Sequence, residues 1–92
     1  AIFTHNDDKA IGACRALKDA GIRVPKDILI AGCDGIEDTQ FSIPSITTIV
    51  TPVEEMCKFA WLFLNNRIQN PEIPVQSRIL TPRLQINEST KR

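Results

Sequence analysis

The sequence has no excess of charge of either sign. Lysine and arginine number 11, aspartate and glutamate number 11, and the formal net charge at pH 7 is zero. That balance gives the chain no long-range pull toward DNA, RNA or an anionic membrane, and nothing that keeps copies of it apart. Histidine is represented by His5 alone, and the three cysteines, Cys14, Cys33 and Cys57, include no Cys-x-x-Cys pair. They read as small buried apolar residues of a reducing compartment, not as a disulfide frame or a zinc site. A nucleophilic thiol would need a histidine, and His5 lies about two helical turns from Cys14, the wrong place for a partner. There is no apolar run long enough to span a bilayer, no secretory or transit segment, no repeat and no low-complexity tract. A Gly-rich phosphate loop, G-x-S-x-G and H-E-x-x-H are all missing. These absences leave no enzyme motif, no metal-ligand cluster and no cofactor motif, and they point to a cytoplasmic chain.

What is present is an ordinary globular composition in 92 residues, enough for one small domain or part of a larger one. A chain of this size buries roughly 60–65% of its unfolded surface, so its core is marginal if it stands alone. It begins without methionine on Ala1-Ile2-Phe3-Thr4, which reads as the tail of a strand already under way, so a longer protein is expected. The organising stretch is Ile28-Leu29-Ile30-Ala31-Gly32-Cys33-Asp34-Gly35. A continuous apolar run bounded by turn residues fits a strand buried on both faces of a parallel sheet. Ligands of open α/β sheets bind beyond the carboxyl ends of the strands, where Asp34 falls.

Around that strand the order is strand 1–4, helix from Asp7 to about Ala20, strand 28–33, loop or short helix 35–45, and strand 46–50. Ala10, Ala13, Cys14, Leu17 and Ala20 make one apolar helical stripe, with Ile11, Arg15 and Lys18 on another face. Gly21 is the expected left-handed residue after the helix. Thr51-Pro52-Val53-Glu54 reads as N-cap, first helical residue and capping box of a second helix to about Gln69. That helix is apolar nearly all round, which calls for a cover from elsewhere. Ser77 to Leu80 and Leu84 to Asn87 read as short strands, and Glu88 to Arg92 as a frayed polar tail.

Asn6, Asp7, Asp8 and Asp34 all fall at strand ends. Converging carboxylate and carboxamide groups suit adjacent hydroxyls of a sugar, or a Mg²⁺ ion of the kind that supports phosphoryl transfer onto an aspartate. The same residues equally read as helix caps and the start of a turn.

One further pattern runs through nearly the whole chain: Thr4-His5-Asn6-Asp7, Ala10-Ile11-Gly12-Ala13, Gly21-Ile22-Arg23-Val24-Pro25-Lys26-Asp27, Gly32-Cys33-Asp34, Pro44-Ser45-Ile46-Thr47-Thr48 and Pro52. In this order and spacing it resembles the carboxyl-terminal part of the LacI/GalR family of bacterial transcription regulators. The resemblance implies an α/β, parallel-sheet effector domain of the type I periplasmic-binding-protein-like kind. Residues 1–50 and 83–92 would lie in one lobe and about 52–80 in the other, with the amino-terminal DNA-binding domain absent. It implies a non-enzymatic sensor of a sugar or similar metabolite that controls operator binding allosterically. Asn6 and Asp34 would be the effector contacts, Asp7 and Thr51 weaker ones, and Ile11, Arg15 and Phe41 would form a homodimer interface. Operator DNA would be reached only through the missing domain. The alternative is a periplasmic sugar-binding protein of the same fold; a Mg²⁺-dependent phospho-accepting domain ranks below both.

Overall fold

The structure, a computed structural model, describes residues 1–92. The elements are β1 (Ile2–Phe3), α1 (Asp7–Asp19), β2 (Ile30–Asp34), α2 (Asp38–Phe41), β3 (Thr47–Val50), α3 (Val53–Gln69), β4 (Arg83–Gln85) and a 3₁₀ turn at Glu88–Thr90. They form one sheet in the order β1-β2-β3-β4. The first three strands are parallel, with Ile2 opposite Ile30, Ala31 opposite Thr47 and Asp34 opposite Val50; β4 runs antiparallel to β3. The chain divides into two compact units, Ala1–Thr51 with Arg83–Arg92, and Pro52–Pro82.

In the first unit, α1 closes onto β2 because the contact residues are small. A Cβ on Gly32 would collide with Asp7 Oδ1 and lie 3.2 Å from the Ala10 Cβ. The absent side chain therefore lets the helix approach the strand. Ala10, Cys14, Ile30 and Ile46 form the buried core, with Ile2, Ile11, Ala13, Leu17 and Val24 packed against it. Ile11 is thus half-buried against the core despite lying off the expected stripe. The helix ends in a Schellman arrangement: Gly21 at φ 76° donates to Lys18 O at 3.0 Å, and Ile22 N donates to Leu17 O at 2.9 Å.

The tail is the first correction. Glu88–Thr90 is a 3₁₀ turn packed into the amino-terminal edge of the sheet, not a frayed end. Ser89 is fully buried; its Oγ donates to Ile30 O at 2.6 Å and accepts from Thr47 N at 2.8 Å, tying the opening of β2 to that of β3. Thr47 Oγ1 sits 2.7 Å from Thr90 Oγ1 and accepts from Asn87 N at 2.8 Å. Hydrogen bonding, not apolar burial, orders this tail, so its polar composition concealed it.

The second unit holds α3 and the loop that follows it. Arg67 donates to the carbonyls of Pro71, Ile73 and Pro74, and Gln76 Nε2 donates to Phe63 O at 2.9 Å. Phe59 and Phe63 pack at 5.9 Å between centroids, with the Arg78 guanidinium 5.0 Å from the Phe59 ring. No residue of α3 is buried, and Trp61 and Ile68 are each 67% exposed. Cys57 is exposed as well, which corrects its reading as a buried hydrophobe; Cys14 is buried, and that burial pushes its thiol pKa up. Ser77–Leu80 forms no strand: Ile79 is 93% exposed, and no chain pairs with the segment between Pro74 and Pro82.

Candidate functional site at the carboxyl edge of the sheet

The parallel order brings the ends of β1, β2 and β3 side by side. Asn6, Asp34 and Thr51 follow or close those three strands in turn. Asn6 caps α1: its Oδ1 accepts from Lys9 N at 3.0 Å, which fixes the amide so that Nδ2 is the group left to donate. Nδ2 makes no hydrogen bond within the chain. Asp34 is exposed, and its carboxylate has no partner in the protein. Its backbone holds φ 111°, a strained conformation for a residue with a Cβ that costs about 1–3 kcal/mol. Gly35 follows at φ 77° and must be glycine, because a Cβ there would stand 2.8 Å from Val50 Cα.

Thr51 is not the helix cap expected of it. Pro52 occupies the cap position of α3 and no side chain bonds the first turn. The Thr51 amide instead donates to Asp34 O at 3.1 Å, and its hydroxyl bonds nothing in the chain. A β-strand end, not a helix start, governs this residue.

Asp7 is also corrected. It is fully buried, with both oxygens engaged inside the protein. Oδ2 accepts from Gly35 N at 2.7 Å and from Ile36 N at 2.9 Å, and Oδ1 accepts from Thr48 Oγ1 at 2.6 Å. A carboxylate so placed lies beneath the edge with both oxygens already bonded. The residue next to Asn6 thereby grips the residue next to Asp34, which brings those two together at the edge. Asp8 stays exposed, and no three acidic, histidine or cysteine residues converge at this edge.

Sequence reasoning missed Thr48, read only as a strand residue, and the amides of Gly35 and Ile36. Two signals pointed to them. Asn6 already fills the cap, leaving the adjacent Asp7 carboxylate free to reach elsewhere. Gly32 inside an apolar strand marks a close approach by another element.

Of the residues expected at a dimer interface, Arg15 is exposed and paired with Asp19 at 3.0 Å, and Phe41 is 74% exposed. Ile11 borders an open cleft of about 280 Å³ with Cys14, Arg15, Lys18, Ser42 and Ile43.

Residues 1–90 match the family described as periplasmic binding protein-like domain. The chain is 38% identical over 91 residues to the HTH-type transcriptional repressor CytR of Escherichia coli (strain K12), an alignment covering 99% of this chain and 27% of that protein. It is 42% identical over 82 residues to the ribose operon repressor of the same organism, covering 89% of this chain and 25% of the repressor. Among solved structures, a LacI family transcriptional regulator from Enterococcus faecium with bound ribose superposes with a TM-score of 0.86 at 35% identity, over 96% of this chain and 33% of that one. The chain thus spans about a quarter of the length of the curated relatives it matches. With a parallel-dominated α/β sheet and these likenesses over nearly its whole length, the chain belongs to the periplasmic binding protein-like domain family, in the form found in LacI-family transcriptional regulators.

Proposed function

We propose that this chain is the sensing part of a repressor that answers to a sugar or similar hydroxylated metabolite. The observation that carries this reading is the complementary pair at the carboxyl edge. Asn6 offers an amide donor with no partner and Asp34 a carboxylate acceptor with no partner, beyond and at the ends of adjacent parallel strands. A hydroxyl both donates and accepts, so a neutral polyol suits such a pair. The ribose held by the Enterococcus faecium regulator supports the class of guest. Thr51 adds a third free group at the same edge.

No catalysis is assigned: the edge holds a guest and does not transform it. Effector binding favours one arrangement of the protein over another, and operator affinity follows through that population shift. Operator contact is assigned to no element of these 92 residues. A second copy is the proposed partner at Ile11, Arg15 and Phe41, supported by the exposure of Phe41 and of Ile43 at 87%. The residues 1–51 with 83–92, and 52–82, are assigned to different lobes of the effector domain.

The test is calorimetric titration of the regulator that carries this chain with ribose and related neutral sugars. Asp34→Ala is expected to weaken binding about ten- to a hundredfold, the worth of a hydrogen bond to a charged acceptor. Equal affinity in wild type and variant contradicts the reading. Ile11→Glu with Phe41→Ala is expected to yield monomers in sedimentation, and an intact dimer removes those residues from the interface.

A further inference from the structure

The geometry points to Asp7 as the positioning residue of this site: it sets effector affinity by holding Asp34 and Asn6 in register, without touching the guest. The inference rests on the reading of Asp34 as the acceptor, and adds to it the group that keeps that acceptor in place.

The carboxylate of Asp34 projects from a backbone at φ 111°, followed at once by a second positive φ at Gly35. Gly35 takes that conformation freely, but a residue with a Cβ, such as Asp34, keeps it only where the surroundings impose it. Here the next two amides, those of Gly35 and Ile36, converge on a single oxygen of Asp7 at 2.7 and 2.9 Å. The other oxygen is held by Thr48 Oγ1 at 2.6 Å, so β3 steadies the carboxylate while the carboxylate steadies the turn. Asp7 and Thr48 are both fully buried, and Gly32 leaves just enough room for Asp7 and no more. Complementing the helix dipole asks only for a carboxylate near the first turn and does not call for these three partners. Burial with three convergent donors is the arrangement of a clamp.

The clamp spans the site. Asp7 is one peptide from the Asn6 donor, and Gly35 is one peptide from the Asp34 acceptor. The bond between Asp7 and Gly35 therefore fixes how far apart donor and acceptor stand, and so which hydroxyl spacing fits. Asp7→Asn keeps the shape and one acceptor oxygen. It removes the charge behind two amide bonds, so the turn loosens while α1 and the core stay packed.

The experiment compares wild type, Asp7→Asn, Thr48→Val and Asp34→Ala in the regulator at its natural length, by amide hydrogen exchange, by the HN–Hα coupling that reports Asp34 φ, and by ribose titration. In Asp7→Asn, exchange at Gly35 and Ile36 is expected to rise about tenfold, with amides of α1 and the Ser89 turn unchanged, and ribose affinity to fall about tenfold. Thr48→Val gives the same pattern more weakly, and carries the test if Asp7→Asn does not fold. Wild-type exchange at Gly35 and Ile36 with an unchanged Asp34 coupling overturns the inference whatever the sugar result. So does a uniform rise across the whole sheet, which would make Asp7 a general stabiliser. Unchanged ribose affinity in Asp34→Ala instead defeats the effector reading, and the exchange pattern still decides whether Asp7 holds the turn.

Discussion

The two ends of the sheet are both polar, and they differ in what their polar atoms do. At the amino edge, Ser45, Thr47, Asn87, Glu88, Ser89 and Thr90 bond one another or nearby backbone. At the carboxyl edge, Asn6 Nδ2, the Asp34 carboxylate and the Thr51 hydroxyl bond nothing in the chain, and one of the three residues is strained. A polar cluster whose partners are all internal is a fastening. A polar cluster with donors and acceptors left over leaves those groups to solvent or to a guest. Residue type does not separate the two ends; hydrogen-bond completeness does.

Several changes would break or sharpen this contrast. The largest effect on stability is expected at Gly35, where alanine meets the Val50 backbone and cannot easily hold φ 77°. Gly35→Ala should lower stability by about 2–3 kcal/mol in urea unfolding, since both strain and overpacking act. Ser89→Ala comes next. It leaves Ile30 O and Thr47 N without their bridging hydroxyl, at a cost of about 1–3 kcal/mol, while ribose affinity stays within about twofold of wild type. A large affinity loss in Ser89→Ala would mean the two ends are not separate in function.

The smallest effect concerns acid. The Ser45 backbone amide, then its hydroxyl, hold the Glu88 carboxyl below its ordinary pKa of 4.5. A depressed carboxyl stabilises the fold above its unfolded pKa, and that contribution disappears as pH falls through the lower folded value. Asp27, held down to about 2 from 3.8 by the Arg23 side chain and then its backbone amide, acts in the same direction at still lower pH. Stability should therefore decline as pH drops below about 4.5, and Glu88→Gln should flatten the upper part of that decline. A parallel decline in wild type and variant would show that the Ser45–Glu88 contact contributes nothing.

Much of the fold was legible in the sequence because local signals set it. The apolar run into Asp34, the alanine stripe and cap of α1, and Gly21 each carry their own information within a few residues. What stayed hidden depended on distant partners. Ser89 bonds a carbonyl 59 positions away and Asp7 an amide 28 away, so neither burial shows in a local window. Thr51 followed by Pro52 is a strong capping pattern, but a strand-end bond to Asp34 governs it. Ser77 to Leu80 has strand composition with no strand to pair with, and composition alone makes no ladder. At the candidate site, the positions of Asn6 and Asp34 at strand ends were legible; the bond from Thr48 to Asp7 was not.

The most direct test of the contrast between the ends is the ribose affinity of Asp34→Gly. Glycine relieves a positive φ, so the variant should be at least as stable as wild type, with a gain of up to about 1 kcal/mol. Its affinity should nevertheless fall at least tenfold, roughly the worth of the lost charged acceptor. A stable Asp34→Gly protein that binds ribose as wild type does would contradict the claim that the free carboxylate at the carboxyl edge is what the effector meets.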